Sequence, residues 1–108
     1  YGIVAGDSIS ETLIKVTDMV EKPQPEDAPS NLAIIGRYIL TPDIFDILRE
    51  TAPGRNGEVQ ITDALLAQAS SGSVIAYKFE GKRFDCGSVK GFVEATNYCY
   101  QKSLNCVD

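Results

Sequence analysis

Residues Leu13 to Pro25, LIKVTDMVEKPQP, decide how this chain begins to fold. Apolar and polar side chains alternate from Leu13 to Lys22, with valine and threonine among them, which is typical of a half-buried β-strand. Two prolines one residue apart then stop the strand, because proline cannot donate to a sheet ladder. The sequence therefore predicts that Glu21 and Lys22 place adjacent opposite charges where the strand ends.

Strand and helix patterns follow one another along the rest of the chain, which predicts an α/β unit. The nearly continuous apolar run Leu32–Leu40 predicts a strand covered on both faces. Apolar periodicity and boundary residues predict helices from Thr41-Pro42, from Thr62 and from about Ser88. A hairpin is predicted to pair Val74–Phe79 with Arg83–Asp85 across Gly81. The last helix is expected to bury Val89, Phe92, Val93, Thr96, Cys99 and Tyr100.

Composition excludes several classes of function. The 108 residues, 44% of them apolar, suffice for one core, so we expect a single unit or a piece of a larger domain. A formal net charge of −5 without a basic cluster argues against nucleic acid and anionic membrane surfaces as partners. No apolar run approaches the roughly 20 residues of a membrane helix, so we expect no membrane association.

The cysteine and histidine content limits which side chains could act in catalysis or bind a metal ion. Three cysteines without a CxxC pair favour neither a disulfide framework nor a zinc site, and they indicate a reducing cytoplasm. Cys86 has no histidine in the chain to activate it, so we interpret it as a packing residue. Because the commonest general base is absent, any chemistry must use carboxylates, lysine and backbone groups.

The Glu21-Lys22-Pro23 step is the first candidate site. Neighbouring side chains of a regular strand point to opposite faces, so both charges serve one ligand only if the strand bends or ends there. Pro23 favours such an end, since it is expected to hold Lys22 extended and to stop the ladder. A carboxylate accepts hydrogen bonds from sugar hydroxyls and an ammonium binds phosphate, so the pair would suit a sugar phosphate. Two solvated charges at a strand end are the alternative.

Asp85 is the second candidate. It is predicted at a strand end, before a sharp turn at Gly87 and a helix, where it would suit Mg²⁺, which takes one or two carboxylates together with substrate phosphates. An aspartate that caps the turn or the helix is the other interpretation. The acidic and amide side chains of Asn56–Leu65 also look like a site, but a helix start at Thr62 and a charged loop before it explain them.

Four motifs together resemble one family. Their order and spacing are similar to those of the bacterial UTP:glucose-1-phosphate uridylyltransferases over essentially the whole chain. The resemblance implies that residues 1–108 are one unit, the C-terminal part of a Rossmann-like fold whose mixed sheet is flanked by helices. Thymidylyl- and adenylyltransferases of sugar phosphates share looser versions of the motifs and remain the nearest alternatives. The motifs are VTDMVEKP at 16–23, APSNLAIIGRYIL at 28–40, GEVQITDAL at 57–65 and FDCGSVKGFVEA at 84–95.

The resemblance implies a role for each of five residues. Gly2 matches a glycine whose backbone approaches the glucose ring, and Ile34 matches a position that lines the sugar pocket. Glu21 would bind sugar hydroxyls, while Lys22 would bind the sugar phosphate and act as the catalytic residue. Asp85 would be a metal ligand, which makes Mg²⁺ the implied cofactor.

The implied reaction converts glucose 1-phosphate and UTP into UDP-glucose and pyrophosphate, in a cytoplasmic enzyme that assembles as a homo-oligomer. The family's Gly-rich nucleotide-binding loop and second Mg²⁺-binding aspartate have no counterpart in these 108 residues. We therefore expect the chain to be inactive by itself and to self-associate or exchange strands through unpaired sheet edges. A non-catalytic module that binds sugar phosphate or assembles subunits is the alternative from a different class.

Overall fold

A long β-hairpin forms the centre of the computed structural model, which describes residues 1–54 and 56–106. Strand β1 (Gly2–Ser8) pairs antiparallel with β2 (Leu13–Glu21), so the strand predicted from Leu13 is confirmed to within one residue. The pairing register shifts between Ala5 and Gly6, where an added Cβ at Gly6 would lie 2.0 Å from the Lys15 carbonyl oxygen. Only glycine therefore fits at this bulge.

Two short strands complete a four-stranded sheet. Strand β3 (Leu32–Ala33) pairs antiparallel with β1, and β4 (Ile75–Tyr77) pairs antiparallel with β2. The order across the sheet is β3-β1-β2-β4, which leaves the two shortest strands at its edges.

Two of the predicted strands are wrong in part or in full. The strand predicted for Leu32–Leu40 ends at Ala33, because Gly36 adopts a φ of +89° and redirects the chain, and Ile39 is fully exposed. The strand predicted for Arg83–Asp85 is absent from the sheet. Strand β4 instead takes β2 as its partner, and the Lys78 backbone N–H extends that contact by donating to the Thr12 carbonyl oxygen at 2.8 Å.

Three α-helices follow the predicted order. Helix α1 (Ile44–Glu50) begins two residues after Pro42, with Asp43 and not Thr41 as its N-cap, and α2 (Ile61–Ala69) begins one residue before Thr62. Helix α3 (Val89–Leu104) begins after Ser88, whose hydroxyl accepts a hydrogen bond from the Gly91 N–H at 3.1 Å. The predicted helices are confirmed, and with the sheet they confirm the α/β class.

The buried core lies between the β1–β2 hairpin and the two shorter helices. Buried residues alternate along β1 and from Leu13 to Thr17 of β2, as the sequence predicts, but the register shift places both Thr17 and Asp18 outside the core. Strand β2 packs against α2, which in turn contacts α1. Apolar burial of this kind is the main favourable term in folding. The buried apolar residues of the core are Val4, Val16, Met19, Ile44, Ala64, Leu65 and Ala69.

Helix α3 lies outside this core, and its predicted burial is wrong. Gly91 is its one buried residue among those described, whereas Val89 is 83% exposed and Phe92 61% exposed. Periodicity shows that a helix has an apolar face but not which element covers that face. The interpretation of Cys86 as a packing residue is also wrong, because Cys86 is exposed. Across the described ranges, no helix has both the length and the apolar character needed to cross a membrane.

Candidate functional site

The end of β2 turns sharply at Lys22. Strand β2 ends at Glu21, and the φ of Lys22 is +46°, the one positive value at a non-glycine residue within residues 1–54 and 56–106. A left-handed conformation costs a residue with a side chain on the order of 1–3 kcal/mol and persists only where its surroundings fix it, often at functional sites. The expectation that Pro23 holds Lys22 extended is wrong, because the chain turns at Lys22 itself.

The turn brings two consecutive charged side chains to one cavity. Glu21 and Lys22 both line a cavity of about 310 Å³, although they would point to opposite faces of a straight strand. The volume is at the small end of the range for ligand pockets. Gly2 and Ile34 also line it, so the structure brings together four of the five predicted site residues, whose roles remain predictions. The other lining residues are Tyr1, Ile35, Gly36 and Tyr38.

Backbone hydrogen bonds join three chain segments around the cavity. The Lys22 N–H donates to the Tyr1 carbonyl oxygen at 2.9 Å, and the Ile34 N–H donates to the Gly2 carbonyl oxygen at 2.8 Å. A Cβ on Gly2 would lie 2.9 Å from Ile34 Cδ1 and 3.1 Å from Glu21 Oε2. A side chain at position 2 would therefore displace two of the other lining residues.

Sequence reasoning missed two residues, one that lines the cavity and one that contacts Glu21. Thr62 was interpreted as a helix start, but Gln60 is the N-cap of α2, and the Thr62 hydroxyl donates instead to Glu21 Oε2 at 2.5 Å. Tyr38 belongs to the apolar run that predicted a buried strand. Burial and the nearby Glu21 carboxylate raise the pKa of the Tyr38 phenol, so it stays protonated and can donate a hydrogen bond.

Asp85, the fifth predicted residue, is linked to the cavity through Tyr1. The Gly87 N–H donates to Asp85 Oδ1 at 2.9 Å, and the Tyr1 hydroxyl donates to Asp85 Oδ2 at 3.2 Å. The hydrogen bond from Gly87 is the largest cause that holds the pKa of Asp85 below its usual range. The hydrogen bond from Tyr1 and the charge of Arg83 lower this pKa further. The carboxylate is therefore ionised at neutral pH. The bond to Gly87 is also the one that the turn-capping interpretation predicts.

The donor set at Asp85 fits a metal ion only in part. Within residues 1–54 and 56–106, no three side chains of aspartate, glutamate or cysteine come together as a metal-binding group. Mg²⁺ keeps several waters and binds one or two protein carboxylates together with substrate phosphates. One exposed, ionised carboxylate that Tyr1 links to the cavity fits a site of that kind, which phosphates and other ligands would complete.

Consecutive carboxylate and ammonium side chains at a strand end, joined through Tyr1 to an ionised aspartate, define a site that could bind a phosphorylated sugar or nucleotide. The family model of the nucleotidyl transferases matches residues 1–102, and the chain belongs to this family. The UTP–glucose-1-phosphate uridylyltransferase of Pseudomonas aeruginosa is 70% identical over 101 residues, 94% of this chain and 36% of that protein. UTP–glucose-1-phosphate uridylyltransferase 1 of Staphylococcus saprophyticus is 51% identical over 96 residues, 89% of this chain and 33% of that protein.

Solved structures agree with these relatives. A UDP-glucose pyrophosphorylase crystallised with UDP-glucose is similar with a TM-score of 0.86 and 62% identity, over 94% of this chain and 39% of that chain. A UTP-bound UGPase from Acinetobacter baumannii has a TM-score of 0.71 and 38% identity, over 92% of this chain and 34% of that chain. The family resemblance of the four motifs is thus confirmed. The chain spans about a third of the length of the curated relatives it matches.

Proposed function

We propose that this chain is the C-terminal part of a UTP–glucose-1-phosphate uridylyltransferase and supplies the sugar-phosphate side of its active site. The observation that carries the proposal is the cavity at the end of β2, where the consecutive residues Glu21 and Lys22 converge. The 70% identity to a protein of that name supports the choice of reaction. A solved relative that holds UDP-glucose supports the choice of ligand.

Each cavity residue is proposed to bind the part of glucose 1-phosphate that its chemistry suits. The Lys22 ammonium binds the phosphate, and the Glu21 carboxylate accepts hydrogen bonds from ring hydroxyls. The Gly2 backbone and the Ile34 side chain contact the ring. The carbohydrate is thereby fixed with its phosphate pointing toward the nucleotide.

In the proposed reaction, a phosphate oxygen of glucose 1-phosphate attacks the α-phosphorus of UTP. One P–O bond forms, the bond to the pyrophosphate leaving group breaks, and UDP-glucose and pyrophosphate result. Positioning and charge neutralisation account for most of the catalysis of phosphoryl and nucleotidyl transfer. Lys22 acts by offsetting the negative charge of the attacking phosphate, a role that requires no histidine.

We also propose Asp85 as one ligand of Mg²⁺. Gly87 and Tyr1 fix both oxygens of this carboxylate in direction, and its lowered pKa keeps it charged. Bound Mg²⁺ would supply charge neutralisation for the phosphates. The Asp85 carboxylate offers lone pairs beyond those used by Gly87 and Tyr1, so ligation does not require either bond to break.

The assembly of the whole enzyme is a further part of the proposal. The edge strands β3 and β4 are only two and three residues long, and Ile75 and Tyr77 of β4 are half exposed or more. Such edges can pair with another chain segment. We propose a cytoplasmic homo-oligomer that acts on UTP and glucose 1-phosphate, with strand exchange in the isolated 108-residue chain.

The proposal is tested by expressing the full-length protein and the 108-residue chain side by side. Each is incubated with glucose 1-phosphate, UTP and Mg²⁺, and UDP-glucose and pyrophosphate are measured. We expect both products from the full-length protein and neither from the chain. Adding dTTP or ATP in competition identifies a thymidylyl- or adenylyltransferase instead. Full-length protein that binds glucose 1-phosphate without forming any nucleotide sugar would favour the non-catalytic module.

Gly91 is expected to set the position of Asp85. A Cβ at Gly91 would lie 1.7 Å from the Asp85 carbonyl oxygen, a contact that cannot exist. Gly91→Ala, which would stabilise an ordinary helix by up to about 1 kcal/mol, must here push Asp85 and α3 apart. We expect the Mg²⁺ concentration for half-maximal UDP-glucose formation to rise by about tenfold. Asp85, Gly91 and Glu94 line one cavity, so the control is Thr96→Ala, at an exposed residue of α3 outside it. An unchanged Mg²⁺ requirement in Gly91→Ala would contradict the prediction.

A further inference from the structure

We propose that Thr62 is a positioning residue of the sugar site, whose buried hydroxyl orients the Glu21 carboxylate toward the sugar hydroxyls. The inference rests on the proposed function and adds a residue to the same site. Thr62 does not line the cavity, so it would act through Glu21 and not by touching the substrate.

The contact between the two residues is partly buried and joins distant parts of the chain. Thr62 is 1% exposed, and its hydroxyl donates to Glu21 Oε2 at 2.5 Å across 41 residues of sequence. A hydrogen bond to a charged acceptor is stronger than one between neutral groups. A hydroxyl this deeply buried is therefore well placed to fix one rotamer of the carboxylate.

The position of Thr62 in α2 shows that its hydroxyl is not needed to begin the helix. Gln60 is the N-cap, and Thr62 is the second residue of the helix. Thr62 lies in the first turn of α2, so the positive end of the helix dipole lies next to the Glu21 carboxylate.

The hydroxyl and the methyl group of Thr62 make different contacts at the sugar site. The hydroxyl binds one carboxylate oxygen, and among the described residues no hydrogen bond to the other, Oε1, is found, which leaves it for a sugar hydroxyl. The Thr62 methyl carbon Cγ2 would lie 3.6 Å from a Cβ on Gly2, so it packs beside the glycine backbone at the cavity wall. Valine would keep the methyl contact and lose the donor, whereas serine would do the reverse.

The test compares Thr62→Val with Thr62→Ser in the full-length protein. For Thr62→Val we expect the KM for glucose 1-phosphate to rise about fivefold to tenfold, because one hydrogen bond that orients Glu21 is lost. The KM for UTP and the kcat should stay within about twofold, as for an interaction made equally in the ground and transition states. Thr62→Ser should restore the KM for glucose 1-phosphate to within about twofold of wild type.

Two controls separate positioning from packing. Thr51→Val removes another threonine hydroxyl, one that bonds to the Ile47 carbonyl oxygen away from the cavity, and should leave both KM values unchanged. In a Glu21→Ala background, adding Thr62→Val should not raise the KM for glucose 1-phosphate further, since the two residues act as one unit. Should Thr62→Val not fold, Thr62→Ser against Thr62→Ala gives the same comparison, because both lack the methyl.

The outcomes distinguish this inference from the function on which it rests. A wild-type protein that forms UDP-glucose, with Thr62→Val unchanged or Thr62→Ser equally impaired, overturns the role of Thr62 alone. An equal rise of both KM values in Thr62→Val also overturns it, because that result marks a packing role. A wild-type protein that forms no nucleotide sugar overturns the proposed function, and this inference with it.

Discussion

Lys22→Ala in the full-length protein is expected to lower kcat/KM for glucose 1-phosphate by about 10²- to 10³-fold, the effect of removing a charge that stabilises the transition state. Lys22 is exposed, lines the cavity and forms no salt bridge within residues 1–54 and 56–106. The folded state therefore depends little on its ammonium. UDP-glucose formation should fall while the free energy of unfolding stays nearly constant.

Glycine at the same position separates backbone strain from function. Because Lys22 has a φ of +46°, Lys22→Gly should be about 1 kcal/mol more stable than Lys22→Ala. Both variants should nevertheless be equally impaired in UDP-glucose formation, since both lack the ammonium. Lys22→Arg should retain part of the activity, as it keeps the charge in a different geometry.

Initial rates over a range of glucose 1-phosphate concentrations, with urea unfolding alongside, measure both effects. Lys78→Ala, at an exposed lysine outside the cavity, is the matched control and should be wild-type in both assays. If Lys22→Ala keeps activity within a few-fold of wild type, Glu21 and Lys22 are only solvated charges at a strand end.

The geometry at the end of β2 was predictable because its signals are local. Alternation predicted the strand, the prolines predicted its end, and adjacent opposite charges predicted convergence on one ligand. The mechanism of the turn was not predictable in the same way. A left-handed lysine before a proline is a conformation that sequence propensity disfavours. The sequence therefore predicted an extended backbone at Lys22.

The partner of Thr62 and the exposure of two apolar residues were not predictable from local sequence patterns. The partner of the Thr62 hydroxyl is 41 residues away, and the local pattern ITDAL is explained equally well by a helix start. Ile39 and Phe92 are apolar at positions where strand and helix patterns predict burial, yet they are exposed. The chain spans about a third of the length of its curated relatives. An apolar face predicted within this third need not be covered by other residues of the same third.

Asp85→Asn is expected to lower UDP-glucose formation by about 10²-fold or more, because a carboxylate that holds a metal ion beside phosphates is lost. Asparagine keeps the shape of the side chain and one oxygen that can still accept from the Gly87 N–H. The turn before α3 should therefore survive, and the free energy of unfolding should change little. A Mg²⁺ titration of the initial rate measures the loss, with the exposed Asp7→Asn as control.

The pH dependence distinguishes a metal ligand from a turn cap at Asp85. Hydrogen bonds from Gly87 and Tyr1 lower the pKa of this carboxyl, so as the pH falls it keeps its charge to a lower pH than an ordinary aspartate does. Tyr1→Phe removes one of the two bonds, which raises the pKa and should shift the acidic loss of activity to higher pH. A turn cap alone predicts that Asp85→Asn retains wild-type rates and that Tyr1→Phe leaves the Mg²⁺ requirement unchanged at every pH.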